Sequence, residues 1–219
     1  LMAGGAILRI MSIEMASIVV NMISPWNAGL ALARSGCQVR WNRVLAVVAV
    51  GVPAIILGLL ILTRLSAENQ ETLRLLLGVT IVASSLTLIR NPRPLARESR
   101  GWSFALLGGF AGVLGGIFAA FGPPLIFHFY RQPLALAVIR DSLLMTFLLM
   151  SVVRIAMLAA AGMLPLSAVI QAGIAVPVAL GFTYLAGRMP QPFGDRGMRR
   201  LAFALLMLMG LAVMLPGGA

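Results

Sequence analysis

An all-α, polytopic membrane protein built from two inverted repeats is the fold class this sequence predicts, on three observations. The composition is too apolar for a soluble domain, the apolar residues fall into seven runs, and the arginines are spread unevenly between those runs.

Of the 219 residues, 60% are hydrophobic and 11% charged, and the mean hydropathy is +1.00. A hydrocarbon core about 30 Å thick takes roughly 20 residues per helix, which leaves room for about seven or eight crossings and no sizeable soluble domain. All 17 basic residues are arginine, and against 6 acids they set the formal net charge at +11. The arginines gather between apolar runs, as they do in cytoplasmic loops, so the partner expected is a lipid bilayer and no nucleic acid. The single Cys37 forbids an internal disulfide, and one Cys with one His is too few for structural zinc; no cofactor or metal is expected. Leu1-Met2-Ala3-Gly4-Gly5 lacks the basic start of a cleavable signal and does not begin with Met, so further sequence is expected upstream.

The apolar runs cover 13–33, 44–63, 73–89, 102–130, 139–161, 166–187 and 200–215. All but one have the length of a single span. As one straight helix, 102–130 would reach about 44 Å, too long for one crossing and too short for two. It holds Gly108, Gly109, Gly112, Gly115, Gly116 and Gly122 and then Pro123-Pro124. Each proline removes a backbone donor and crowds the preceding turn, so a break is expected between Phe121 and Pro124.

The arginines decide what the broken segment does. If 102–130 crosses once, the loops on the two sides hold seven and eight arginines, a distribution without bias. If it enters and returns as a re-entrant hairpin, the count becomes 13 against 2. The positive-inside rule selects the hairpin, with the 90–100 loop cytoplasmic and the C-terminus outside. The same topology exposes a repeat: Val52-Pro53 with Gly58 matches Val176-Pro177 with Gly181, Arg74-Leu75 matches Arg200-Leu201, and Gly4-Gly5 faintly matches Gly122-Pro123. The matched spans run in opposite directions, an arrangement found in transporters with broken helices at mid-membrane. The expected division is a first repeat over 1–89 with an incomplete hairpin, a cytoplasmic linker over 90–101, and a second repeat over 102–219.

The stretch from Gly108 to Tyr130 (GGFAGVLGGIFAAFGPPLIFHFY), with Arg140 beyond it and Val-Pro-x-x-x-Gly in a later span, resembles the sulfite exporter TauE/SafE family. The likeness runs from about Gly4 to Leu215 and is most specific at Gly122-Pro123-Pro124. It implies a bacterial inner-membrane permease with two related halves that moves sulfite, sulfonates or other small organic anions. The first copy departs from the pattern, because the helix that should precede Gly4-Gly5 is absent and Gly5-Ala6 stands where a third Gly or a Pro belongs.

Several residues stand out as candidates for the chemistry. Gly108, Gly112 and Gly116 recur every four residues and permit close helix packing. A half-helix beginning after Gly122-Pro123-Pro124 would turn its amide groups and positive dipole end toward the membrane interior, an anion site without a charged side chain; a simple kink is the alternative. Arg154 lies well inside an apolar span, where a cation costs several kcal/mol unless an anion, an acid or water faces it. Arg140, Phe147 and Ser151 share its helix face. Glu14, Ser17, Asn21 and Ser24 form a polar stripe that should face other helices. Glu14 and Asp141, the acids in or beside spans, are candidates for ion pairing or for proton coupling, and His128 for a packed ring or a proton relay. The substrate-binding set read from the sequence is therefore Gly4, Gly5, Asn21, Gly122, Pro123, Pro124, Arg140, Ser151 and Arg154.

With one His, one Cys and two span-associated acids, no nucleophile, base or metal cluster emerges, so the protein is read as no enzyme. Transport of a small anion, coupled to a proton or a sodium ion if coupled at all, stands against an anion channel and against a membrane protein without transport activity. A homo-oligomer is compatible with everything above.

Overall fold

The computed structural model describes residues 13–64, 95–118, 121–186 and 208, with Glu14 and Ser17 described in their backbone alone. The expected spans 73–89 and 200–215, and Gly4 and Gly5, lie outside the described residues. Those described form six helices in order: α1 (Ile13–Ser35), α2 (Trp41–Arg64), α3 (Gly101–Phe118), α4 (Gly122–Tyr130), α5 (Leu136–Ala160) and α6 (Leu166–Ala186). There is no strand among them. Three segments, Trp41–Ile61, Leu136–Ala160 and Leu166–Leu185, are long and apolar enough to cross a bilayer.

The break falls where the prolines require it. α3 ends at Phe118 and α4 restarts at Gly122, with both prolines in the first turn of α4. An N–H there has no intrahelical acceptor in any helix, so proline loses nothing by lacking one. From that point the chain doubles back. Phe121 packs its ring on Gly115, the Phe129 and Phe104 rings meet edge to face at 5.2 Å, and the Leu95 N–H donates to the Arg131 carbonyl at 2.8 Å. The two ends of the segment therefore lie side by side. Gln132, fully buried, fastens them: its Nε2 donates to Ser99 Oγ and to the His128 carbonyl, and its Oε1 accepts from the Ser99 N–H.

α2 runs parallel to α3 along the glycine stripe. A methyl group at Gly112 would press on the Gly51 carbonyl and come within 2.8 Å of the Ala54 Cβ. One at Gly58 would press on the Val113 carbonyl and come within 2.9 Å of the Gly116 Cα. Backbone meets backbone here, which only glycine permits. α5 completes this unit, whose core joins Val47, Ile55, Phe104, Phe121, Leu125, Phe129, Ile139 and Met150.

α1 lies antiparallel to α5, and α6 parallel to α1, where Val19 packs with Ala168 and Ala172 in a second, smaller cluster. α1 stops at Gly36, whose φ of +80° is the left-handed turn that ends a helix.

These directions bring Arg34, Arg40, Arg43, Arg97, Arg100, Arg131 and Arg140 to one end of the molecule. Asp141 organises that end: its Oδ2 accepts from Ser35 Oγ at 2.8 Å and from the Gln38 N–H at 3.0 Å, while Oδ1 pairs with Arg140 Nε at 3.2 Å. Glu98 accepts from Arg43 Nε at 2.7 Å and from Arg40 Nη2 at 3.2 Å, and the Arg43 bond above all holds its carboxyl below the usual carboxylate range.

Candidate functional site

The site grows from α5. Five of its polar residues are buried, Asp141, Ser142, Thr146, Ser151 and Arg154; Ser151 and Arg154 lie one turn apart on one side, with Ser142 and Thr146 turned away from them. Thr146 Oγ1 turns back to the Ser142 carbonyl at 2.7 Å and needs no other partner. Arg154 lies roughly two thirds of the way along the helix, away from the basic end, and is 1% exposed. Its Nη2 donates to the Gly116 carbonyl at 3.3 Å, while Nε and Nη1 have no partner among the described residues.

That acceptor explains why the cation sits here. Gly116 is in the last turn of α3, where carbonyls lack a helix donor and the dipole end is negative. The free carbonyl and the guanidinium answer one another at the break in the hairpin. A single bond at 3.3 Å engages one of three guanidinium nitrogens, however, and leaves most of a buried charge uncompensated. Among the described residues no carboxylate pairs with it; Glu98 and Asp141 are both committed at the basic end.

One helical turn earlier, Ser151 is 1% exposed and accepts from Asn21 Nδ2 at 3.2 Å. Asn21 is 2% exposed, and its Oδ1 has no partner among the described residues. Pro25, four residues on, has no N–H to give to the Asn21 carbonyl, so α1 is short of one backbone bond at this level. α5 thus makes two buried polar contacts one turn apart: Ser151 with Asn21 of α1, and Arg154 with Gly116 of α3. Guanidinium donors without partners in an apolar surrounding are suited to hold an oxyanion, and a neutral amide beside them adds shape without opposing charge.

The structure therefore brings together Asn21, Ser151 and Arg154 from the sequence-derived set. Gly122, Pro123 and Pro124 begin α4 just beyond the break, with Phe121, 4% exposed, leading into them without a side-chain cap. The two prolines reduce what this terminus can donate, because of its first four residues only Gly122 and Leu125 carry an N–H. A Cβ at Gly122 would meet only Ile126 Cδ1, at 3.4 Å.

Other candidates lie elsewhere. Arg140 is half exposed and paired with its neighbour Asp141, 14 residues or about 21 Å along α5 from Arg154. Asp141 itself is consumed by Arg140 and the α1–α2 turn. His128 is at the open end of the hairpin, where Nε2 meets Ser103 Oγ at 3.2 Å and the ring stands edge-on to Phe104. Ser24 Oγ closes on the Val20 carbonyl within α1. The side chains of Glu14 and Ser17 fall outside the described residues, as do Gly4 and Gly5. Sequence reasoning passed over Gly116 as a ligand, since a carbonyl leaves no trace in composition, and passed over Pro25, whose spacing from Asn21 was legible.

Comparison with known proteins agrees with this architecture. The sequence model of the sulfite exporter TauE/SafE family matches residues 2–213. A probable sulfite/organosulfonate exporter TauE of Cupriavidus necator is 39% identical over 199 residues, covering 90% of this chain and 77% of that protein. A probable inner membrane transporter protein TsaS of Comamonas testosteroni is 28% identical over 178 residues, covering 80% and 73%. No solved structure matches the chain. With residues 2–213 matched and its glycine stripe and Gly122-Pro123-Pro124 break in place, the chain belongs to the sulfite exporter TauE/SafE family of membrane transporters.

Proposed function

We propose that the protein is an inner-membrane exporter of small sulfur-containing or organic anions, binding sulfite, a sulfonate or a carboxylate at Arg154. The observation that carries this reading is a fully buried guanidinium with two of its three nitrogens unpartnered among the described residues. A structural arginine in an apolar interior is paired; one left open is compensated by a ligand that comes and goes. Asn21 and Ser151 shape the pocket, and the Gly122 and Leu125 amides at the start of α4 face the anion from the break. Glu14 is the candidate for coupling to a proton, with sodium the other candidate ion, and Arg140 with the basic end draws anions toward the membrane surface. The named relatives support this substrate class, since one is a probable sulfite/organosulfonate exporter. Counterflow of sulfite, sulfonates and carboxylates in proteoliposomes tests it: saturable flux of at least one class is expected, and absence of flux for all three overturns it.

In this reading α3 and α4 form a re-entrant hairpin with both ends cytoplasmic, and α2 and α6 are related by the inverted repeat. Two features support it. The described arginines other than Arg64 and Arg154 lie at the end where the hairpin opens, and α2 and α6, which share the Val-Pro motif, run in opposite directions. Labelling from each side checks the topology. Exposed Cys37, and cysteines placed by Arg97→Cys or Pro133→Cys in a Cys37→Ser background, should all react from the cytoplasmic face. Reaction of the last two from opposite faces would remove the hairpin.

A further inference from the structure

We infer that Phe121 is a positioning residue for Arg154, acting through the seat its ring takes on Gly115. This rests on the reading of Arg154 as the anion site. A Cβ at Gly115 would fall among Cδ1, Cε1 and Cζ of Phe121, so the ring occupies the space that any other residue's side chain would fill. Gly115 is a socket. Phe121 lies beyond the end of α3 at Phe118 and directly before α4, and its ring reaches back across the break to the last turn of the helix the chain has just left. It is 4% exposed, so a ring pushed off Gly115 has no open space to turn into.

Gly116, the next residue, connects this seat to the guanidinium. On one side it presses on α2, where an added Cβ would come within 2.6 Å of the Ile55 carbonyl oxygen and 2.8 Å of the Gly58 Cα. Its own carbonyl accepts from Arg154 Nη2 at 3.3 Å. That distance is at the long end for an N–H···O bond, and withdrawal of the carbonyl by about 0.3 Å more releases the guanidinium. The ring on Gly115 and the α2 backbone on Gly116 hold the turn from two directions, and Arg154 takes its orientation from the carbonyl they fix. An anion that meets an unanchored guanidinium must order the side chain itself, which weakens binding.

Two single substitutions and their combination test this by sulfite flux in the reconstituted full chain, with the half-saturation concentration reporting affinity. Gly115→Ala puts a methyl group where the ring lies, and Phe121→Leu leaves the socket part-filled; each should raise the half-saturation concentration roughly 3-fold to 10-fold. The two together restore nearly the same filled volume and should return it toward that of the unsubstituted protein. In an Arg154→Gln background, Phe121→Leu should weaken affinity no further, because the ring acts through the guanidinium. A ring that merely fills the core would lower the melting temperature and leave half-saturation untouched. That result, no recovery in the pair, an equal loss with and without Arg154, or the absence of saturable sulfite flux overturns the inference. The underlying reading fails by a different result: unchanged affinity in Arg154→Gln alone removes Arg154 as the site, and the role of Phe121 with it.

Discussion

Arg154→Gln should lower anion affinity by at least roughly 30-fold while leaving the protein folded. Truncating a buried, hydrogen-bonded charge that faces a ligand charge costs about 2 to 5 kcal/mol of binding, and each 1.4 kcal/mol is about tenfold. The folded state loses little by comparison. Arg154 makes one bond within the protein, to the Gly116 carbonyl at 3.3 Å, and a glutamine amide retains a donor for it. If the guanidinium were instead neutralised by Glu14, the substitution would strand a buried carboxylate at about 3 to 5 kcal/mol. Stability would then drop, and Glu14→Gln in the same chain would restore it. Thermal unfolding in detergent and substrate affinity, measured on both variants, separate the two outcomes. A stable Arg154→Gln protein with unchanged affinity refutes the assignment of this residue.

The second large effect is expected at the crossing of α2 and α3. Gly112→Val should destabilise the protein by about 1 to 3 kcal/mol or more, because the new side chain meets the Gly51 carbonyl and Ala54 Cβ, and backbone cannot be repacked as a side chain can. The loss reaches the site, since separating α3 from α2 shifts Gly116 away from Arg154. Gly181→Val supplies the contrast. Gly181 matches Gly58 in the repeated Val-Pro motif, yet nothing among the described residues lies within 4 Å of a Cβ built there. Its substitution should leave the melting temperature almost unchanged. Equal losses at Gly112 and Gly181 would show that the stripe acts through helix propensity and not through contact.

Much of this was legible in the sequence because it depends on local chemistry. The broken segment followed from Pro123-Pro124, which act within one turn, and the close seam from glycines repeating every four residues. The burial of Arg154 followed from its apolar neighbours. What could not be read was partnership across helices. Arg140 and Arg154 share a face of α5 by their spacing, but they stand about 21 Å apart along it, and the nearer partner of Arg140 was its own neighbour Asp141. The acceptor for Arg154 is a main-chain carbonyl of α3, and every residue has one. Gln132 holds the open end of the hairpin together and Glu98 ties it to Arg40 and Arg43 at the start of α2, yet each is an isolated polar residue in a loop, with no pattern to single it out.

The two apolar clusters have a mechanical consequence. Among the described helices, α2 to α5 share one, while α1 and α6 share the other, and the two clusters are joined where α1 lies along α5. The bond from Asn21 to Ser151 crosses that divide, and so does the grip of Asp141 on the α1–α2 turn at the opposite end. On the proposed reading, an anion held by Arg154 near Asn21 would touch both clusters at once and add to the contacts that join them.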